Sequence, residues 1–208
     1  ILAAVALVLL LMPREEPPGP TDPPENVPAA EALQCLQFSR YSGEYVEDGS
    51  HEQVTDVAAM LVKNPTSKFL DLATITYKVG AKTATFVITG LPPGGTAWVL
   101  EKNRLRLEDG WDFVYEDSSY TFRSDAIRQT DRLTVQSDGN SLAVTNAWDQ
   151  TLKNVCLYYK VKHTDGNYFG GITYMMEFGT LEPGTSASKQ SSHFGPDADI
   201  VRYSYQTG

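Results

Sequence analysis

The chain has 208 residues, of which 41% are hydrophobic and 21% are charged, proportions that are ordinary for a globular protein. Its net charge of −9, without any run of basic residues, argues against a nucleic-acid-binding protein. About 180 residues follow a proline-rich segment near the N-terminus, which is enough for two small domains.

Residues 1–12 form a wholly apolar run that Pro13 ends. Since about 20 apolar residues are needed to cross a bilayer, the run is roughly half a span. We expect it to be the outer half of a transmembrane helix. The alternative is the apolar region of a signal peptide, but no small-x-small cleavage site precedes Arg14.

Residues 13–31 are dominated by proline, with seven of the twelve prolines of the chain between Pro13 and Pro28. Proline fixes φ and lacks a backbone donor, so this segment is predicted to be an extended linker rather than part of a sheet. Acidic residues with little positive charge beside the apolar run favour the outer side of a membrane. The expected location is therefore a single-pass membrane protein with its domains on the extracytoplasmic side.

The remaining sequence contains an internal repeat. Residues 62–79 match residues 144–161 at an offset of 82, with six identities in eighteen positions. The match continues at an offset of 90, where Leu91-Pro92-Pro93-Gly94 aligns with Leu181-Glu182-Pro183-Gly184 and residues 111–115 align with 201–205. The repeat predicts two copies of one module, with eight extra residues around residues 163–167 of the second copy.

Within each copy the apolar residues alternate with a period of two, which is typical of strands with one buried face. Residues 73–79 and 155–161 show this pattern with the same parity, so Tyr77 and Tyr159 are predicted to occupy equivalent buried positions. Turn signals recur every 8–12 residues. The fold class is therefore all-β, with two tandem antiparallel β-sandwiches over residues 32–117 and 118–208. The only segment for which a helix is an alternative is residues 124–132, which could form one helical turn between the modules.

Asn64 and Asn146 follow equivalent strands and are predicted to hydrogen bond to the backbone of their own turns. The chain has two cysteines, Cys35 and Cys156, at positions that are not equivalent in the repeat. They are either two free thiols or one bridge between the modules.

Several of these features resemble the FxLYD-type and related immunoglobulin-like modules of bacterial surface proteins. The residues that carry the resemblance in the second copy are Asn146, Leu157-Tyr158-Tyr159, Asp165-Gly166 and Leu181-Glu182-Pro183-Gly184. The first copy matches through Ile75-Thr76-Tyr77 and a shorter hairpin at Gly80-Ala81-Lys82, and lysines replace the family's acid at Lys78 and Lys160. The resemblance implies immunoglobulin-like sandwiches in an extracytoplasmic protein without catalytic residues.

No motif for an enzyme is present. The three histidines do not form a metal-binding pattern, and the sequence contains no nucleophile elbow, P-loop or dinucleotide fingerprint. Hence we expect a protein that is not an enzyme and binds no cofactor, with a hydrolase as a remote alternative. Asp197-Ala198-Asp199 and Glu108-Asp109 could supply carboxylates to calcium, but the twelve-residue calcium loop is absent.

Three aromatic residues are the predicted interaction surface: Tyr158, which points away from Leu157 and Tyr159, and Tyr168 and Phe169, which lie in the longer hairpin of the second copy. The main expectation is a membrane-anchored protein that contacts another protein or an envelope component, or that senses one. The alternative is a pair of carbohydrate-binding modules, because exposed aromatic rings can stack on sugars. The longer hairpin itself is either neutral loop variation or a contact surface.

Overall fold

The computed structural model describes residues 33–50 and 52–207, and over these residues the protein is all-β, as predicted. They contain no helix. The strands are β1 (Gln34–Glu44), β2 (Gln53–Lys63), β3 (Phe69–Val79), β4 (Lys82–Leu91), β5 (Thr96–Leu100), β6 (Val114–Arg123), β7 (Leu133–Asp138), β8 (Ser141–Asn146), β9 (Leu152–Val161), β10 (Tyr168–Phe169), β11 (Tyr174–Leu181), β12 (Ser186–Gln190) and β13 (Ala198–Thr207).

The sheets repeat one strand order. We call β1–β6 the first unit and β7–β13 the second unit. In the first unit the sheets run β1-β2-β5 and β4-β3-β6, and in the second they run β7-β8-β12 and β11-β9-β13. Each strand of the first unit thus has a counterpart in the second, apart from the short β10, which joins the first unit's sheet beside β5.

Each unit has its own hydrophobic core, built from side chains of both of its sheets. In the first unit the core includes Phe38 and Met60 from one sheet and Phe86 from the other. In the second unit the core includes Val144 from one sheet and Leu157 from the other. Alternating strand residues point to opposite faces, so the period of two in the sequence places one apolar face of each sheet toward its partner. This arrangement is consistent with a β-sandwich.

The predicted equivalence of Tyr77 and Tyr159 is confirmed. Both side chains are only 1% exposed, and both lie on the central strand of a three-stranded sheet. Tyr77 meets the ring of Phe38 edge to face, with 4.9 Å between the ring centroids, and Tyr159 meets Phe194 in the same way at 5.1 Å. The same position of the repeat therefore supplies an aromatic anchor to each core.

The local role predicted for Asn64 and Asn146 is also confirmed. Both side chains are fully buried. Asn64 Nδ2 donates to the carbonyls of Lys68 and Leu91 at 2.9 and 3.0 Å. Asn146 Nδ2 donates to the carbonyls of Gln150 and Leu181 at 2.8 and 2.9 Å. Each asparagine ties its own turn to the Leu-x-Pro-Gly turn, which explains why the repeat retains both.

Two sequence predictions need correction. Tyr115 lies opposite Tyr77 and Ile200 lies opposite Tyr159, so Tyr115 is equivalent to Ile200. The alignment of residues 111–115 with 201–205 is thus wrong by five residues, because the loop before β6 is longer than the loop before β13. Residues 124–132 are not helical either: Ile127 forms a β-bridge with Tyr203.

Cys35 and Cys156 are free thiols. No helix of the described residues is long and apolar enough to cross a membrane. The predicted transmembrane segment of residues 1–12 and the linker of residues 13–31 lie outside the described residues. The predicted module boundary at residues 117 and 118 lies within β6, which pairs with β3 up to Arg123.

Candidate functional site at the junction of the two units

The feature that distinguishes the units is the hairpin extension of the second, Lys162–Gly171, which contacts the first unit. Within it, β10 pairs in parallel with β5, and Phe169 lies in register with Trp98. The N–H of Gly170 donates to the carbonyl of Trp98 at 2.8 Å. The residues that are extra in the repeat therefore contribute directly to the connection between the units.

Side chains strengthen this connection near the turn of the hairpin extension. Trp98 Nε1 donates to Asp165 Oδ2 at 2.9 Å, and Thr96 Oγ1 donates to Asn167 Oδ1. Desolvation raises the pKa of the Asp165 carboxyl, but the hydrogen bonds from Trp98 and Asn167 outweigh it and lower the pKa to about 2. Asp165 is therefore ionised at neutral pH and holds the Trp98 indole in place.

At its other end the hairpin extension comes so close to the first unit that side chains are excluded. Gly171 is buried, and a Cβ at this position would overlap the carbonyl oxygen of Val87. A Cβ at Gly170 would lie 2.9 Å from Val46 Cγ2, and its φ of +88° also favours glycine. The structure therefore requires glycine at both positions for close packing between the units.

Lys160, at the end of β9, is a buried cation at this junction. Its Nζ donates to the carbonyls of Ile172, Thr89 and Gly171 at 2.6, 3.1 and 3.2 Å. Thr89 belongs to the first unit, so the ammonium group links the two units directly. Burial lowers the pKa of Lys160 to about 7, against the opposing effect of the Glu47 charge.

Glu47, in the loop between β1 and β2, is the acidic counterpart from the first unit. Both of its carboxylate oxygens accept the N–H of Gly171 at 2.9 Å, and Oε1 also accepts the N–H of Leu100 at 2.7 Å. Burial raises the pKa of Glu47, and the hydrogen bonds from Gly171 and Leu100 act in the opposite sense. The peptide groups of Gly171 are thus held by Glu47 on the N–H side and by Lys160 on the carbonyl side.

We call this set of contacts the inter-unit clamp. Its residues are Glu47, Thr89 and Trp98 of the first unit and Lys160, Asp165 and Gly171 of the second. Sequence reasoning missed Glu47 and Lys160 as partners. Lys160 lies on the face of its strand that the alternating pattern predicts to be exposed, so nothing in the sequence indicated that it is buried. Only the insertion that follows it indicated that this region differs between the two copies.

The structure places two of the three predicted surface residues in this junction. Tyr168 packs against the first unit's core and its hydroxyl donates to Asp199 at 3.3 Å. Desolvation raises the pKa of Tyr168 to about 12. Phe169 lies 5.2 Å from Tyr41, measured between ring centroids. Both residues therefore contact the first unit and lie within the junction.

Tyr158 lies apart from this pair, on the face of β9 opposite to Leu157 and Tyr159. The Arg202 guanidinium stands 3.8 Å from the centre of its ring, and its neighbour in register on β11 is Met175, which is 54% exposed. Among residues 33–50 and 52–207 no aromatic side chain is largely exposed. The aromatic rings of the described residues are therefore buried or only partly exposed.

Three of the four acidic residues considered for calcium are paired with cations, and among them Glu108 lies 3.8 Å from Lys82 Nζ. Asp199 contacts Lys162 Nζ at 2.7 Å, and Asp109 contacts Arg40 at 2.7 Å. In the described part of the chain, no three His, Cys, Asp or Glu side chains are grouped in a way that could hold a metal ion. His163, in the hairpin extension, has its Nδ1 3.4 Å from Asp165 Oδ1.

No protein-family model matches the sequence. No curated protein is significantly similar to it.

Proposed function

We propose that this protein is a non-enzymatic, membrane-anchored binding protein of the cell exterior whose two units act as one rigid body. The observation that carries the proposal is the inter-unit clamp. A flexible tandem of domains has no need of a buried lysine and a partly buried glutamate at its junction. A protein that presents one composite surface to a partner requires such a fixed geometry, because rigidity lowers the entropic cost of binding.

The arrangement of the strands supports an immunoglobulin-like interpretation of each unit. Such folds place strands A, B and E in one sheet and C and F in the other, and variable-type domains add C′ beside C. The order β1-β2-β5 with β4-β3-β6 corresponds to A-B-E with C′-C-F. We propose two immunoglobulin-like units on this basis, with the FxLYD-type modules as their relatives.

The chemistry of the junction supports a structural rather than a catalytic role for its charged residues. Buried groups with shifted pKa values often mark active sites. Here, however, the ammonium of Lys160 is occupied by backbone carbonyls and the carboxylate of Glu47 by backbone N–H groups. Both groups are used in joining the units, which supports the proposal that the protein is not an enzyme.

The N-terminal sequence supports attachment to a membrane. An apolar run of twelve residues followed by a proline-rich linker would hold the two units away from the bilayer. The test is protease treatment of intact cells that express the full chain. Cleavage of the units from outside is expected, whereas resistance until the membrane is broken would contradict the proposed orientation.

Binding of a carbohydrate is the second candidate function, and one observation favours it. A cleft of about 510 Å³ lies between the β3–β4 turn and the loop before β6. Its lining includes Trp111 and charged side chains of both signs, Lys78, Lys82, Glu108 and Asp112. Ligand sites commonly have volumes of roughly 300–1,000 Å³. A glycan array that shows selective binding, lost in Trp111→Ala, would support this candidate over a protein partner.

A further inference from the structure

A small pocket lies where the hairpin extension meets the outer face of the first unit's sheet. Its volume is about 100 Å³. Both units contribute to its lining, which consists of Ser39, Arg40, Tyr41, Ala59, Trp98 and Leu100 from the first unit and His163 and Phe169 from the second. The pocket is therefore complete only when the two units are joined.

The walls of this pocket are aromatic and held in place. The Trp98 indole is fixed by its hydrogen bond to Asp165, and the Tyr41 hydroxyl donates to the carbonyl of Glu44 at 2.9 Å. The Phe169 ring lies between Tyr41 and His163, with centroids 5.2 and 5.4 Å away. Because these polar atoms already have partners, the interior offers an apolar surface that is formed before any ligand arrives.

Buried apolar groups line the base of the pocket, and its size limits what can enter. Ala59 and Leu100 are 3% and 1% exposed, and they belong to a hydrophobic cluster distinct from the two cores. Pockets for drug-sized ligands measure roughly 300–1,000 Å³, so one of about 100 Å³ accepts a single aliphatic side chain. A ligand can bury that group and must leave its remaining atoms at the rim.

Two basic side chains stand at the rim. Arg40 is paired with Asp109, whose side chain is 99% exposed, and His163 is paired with Asp165 at 3.4 Å. An exposed ion pair contributes little stability, so a carboxylate of a ligand can replace Asp109 beside Arg40. Aromatic pockets can also bind ammonium groups, but the charge of Arg40 opposes a cation here.

We propose that this pocket binds a peptide through an aliphatic side chain and a neighbouring carboxylate. The side chain enters between Tyr41, Trp98 and Phe169, and the carboxylate pairs with Arg40. The inference deepens the proposed function and rests on it, since the clamp holds Phe169 and His163 in the pocket wall.

The test is a titration of the full chain with N-acetyl-L-leucine, which carries both groups on one carbon atom. The chain contains three tryptophans, so ¹⁵N-labelled indole groups give three NMR signals. We expect a saturable shift of the Trp98 signal alone. Trp111 and Trp148 lie outside the pocket and serve as internal controls. A Trp98 signal that stays unchanged up to the solubility limit, or three signals that shift together, would overturn the proposal.

Variants and a second probe test separately the binding of the aliphatic side chain and the binding of the carboxylate. Phe169→Ala is expected to weaken binding of N-acetyl-L-leucine about tenfold, the lower end of the effect of altering an apolar pocket. Arg40→Gln is expected to weaken the acid about tenfold but to leave N-acetyl-L-leucinamide unaffected. Arg106→Gln, which changes an exposed arginine outside the pocket lining, is the matched control. Equal affinity of the wild type for the acid and the amide would contradict recognition of the carboxylate.

Hydrogen exchange of the same indole group distinguishes failure of the pocket from failure of the clamp. The Trp98 Nε1–H donates to Asp165 only when the hairpin extension is docked. A protected N–H without any ligand-induced shift would overturn the pocket and leave the proposed function standing. An N–H that exchanges as fast as a free indole would overturn both.

Discussion

Lys78 and Lys160 occupy the same position in the two units, yet only Lys160 is buried. The side chain of Lys78 is 58% exposed and contacts Glu116 at 3.4 Å, whereas Lys160 is fully buried between β9 and the first unit. One position of the repeat has thus become part of the junction in the second copy only. This difference provides a matched pair of substitutions for testing the clamp.

Lys160→Met should destabilise the protein, and Lys78→Met should not. Methionine fills similar space but leaves the carbonyl of Ile172 without its donor, at a cost of about 1–3 kcal/mol for a buried group left unsatisfied. Substitution of the exposed Lys78 should change the free energy of unfolding by no more than about 0.5 kcal/mol. Urea denaturation measures both, and equal effects would mean that Lys160 forms no special contact.

The stability of the wild-type protein should depend on pH through Lys160. Its pKa is lowered from 10.5 to about 7 by burial, so between these values the unfolded chain binds the additional proton. The free energy of unfolding should therefore rise as the pH increases from about 7 toward 10. The raised pKa of Glu47 has the opposite effect, a fall in stability as the pH rises above its ordinary value of 4.5.

Lys160→Met provides the control for this pH dependence. The difference in unfolding free energy between the wild type and the variant, followed from pH 7 to 9.5, reports on Lys160 together with Glu47, because the charges of these two groups affect each other and the remaining groups are shared. The wild type should gain stability relative to the variant across this range. A difference that is independent of pH would show that Lys160 has the same pKa in the folded and unfolded states.

Gly171→Ala should displace the hairpin extension. The added methyl group would overlap the carbonyl oxygen of Val87, and overpacking of this kind costs about 1–3 kcal/mol. Gly195→Ala is the matched control, because no atom lies within 4 Å of its Cβ position and its φ is not in the left-handed region. Thermal unfolding of both variants tests the prediction. A Gly171→Ala variant as stable as Gly195→Ala would mean that the hairpin is not packed against Val87.

Tyr159 should contribute to the second core mainly through its ring. Tyr159→Ala is expected to cost about 3–5 kcal/mol, as is usual for a large aromatic residue in a core. Tyr159→Phe removes only the hydrogen bond with Ser191, at 2.9 Å, and should cost about 0.5–1.5 kcal/mol. Chemical denaturation separates the two effects. A loss below about 1 kcal/mol in Tyr159→Ala would contradict the burial of the ring.

The parts of the fold that depend on local pattern could be predicted from the sequence. Alternation of apolar residues identified the strands that carry Tyr77 and Tyr159, and the repeat identified the shared turns at Asn64 and Asn146. These features involve residues whose environment is repeated within each unit.

The junction could not be predicted, because it depends on contacts between distant parts of the chain. Glu47 and Gly171 are 124 residues apart in the sequence and meet only in the folded protein, and neither residue type is unusual in a loop. The alignment of β6 with β13 failed for a related reason. The loops before these strands differ in length, and short aromatic matches such as Tyr115 with Tyr205 outweighed the true register.

The central claim, that the hairpin extension joins the two units into one rigid body, is tested most directly by residual dipolar couplings. In the wild-type protein the couplings of both units should fit a single alignment tensor. In a variant in which Lys162–Gly171 is replaced by Gly-Ala, the turn of the first unit at Gly80 and Ala81, each unit should retain its fold and require its own tensor. Two different tensors in the wild type, or one shared tensor in the shortened variant, would contradict the account.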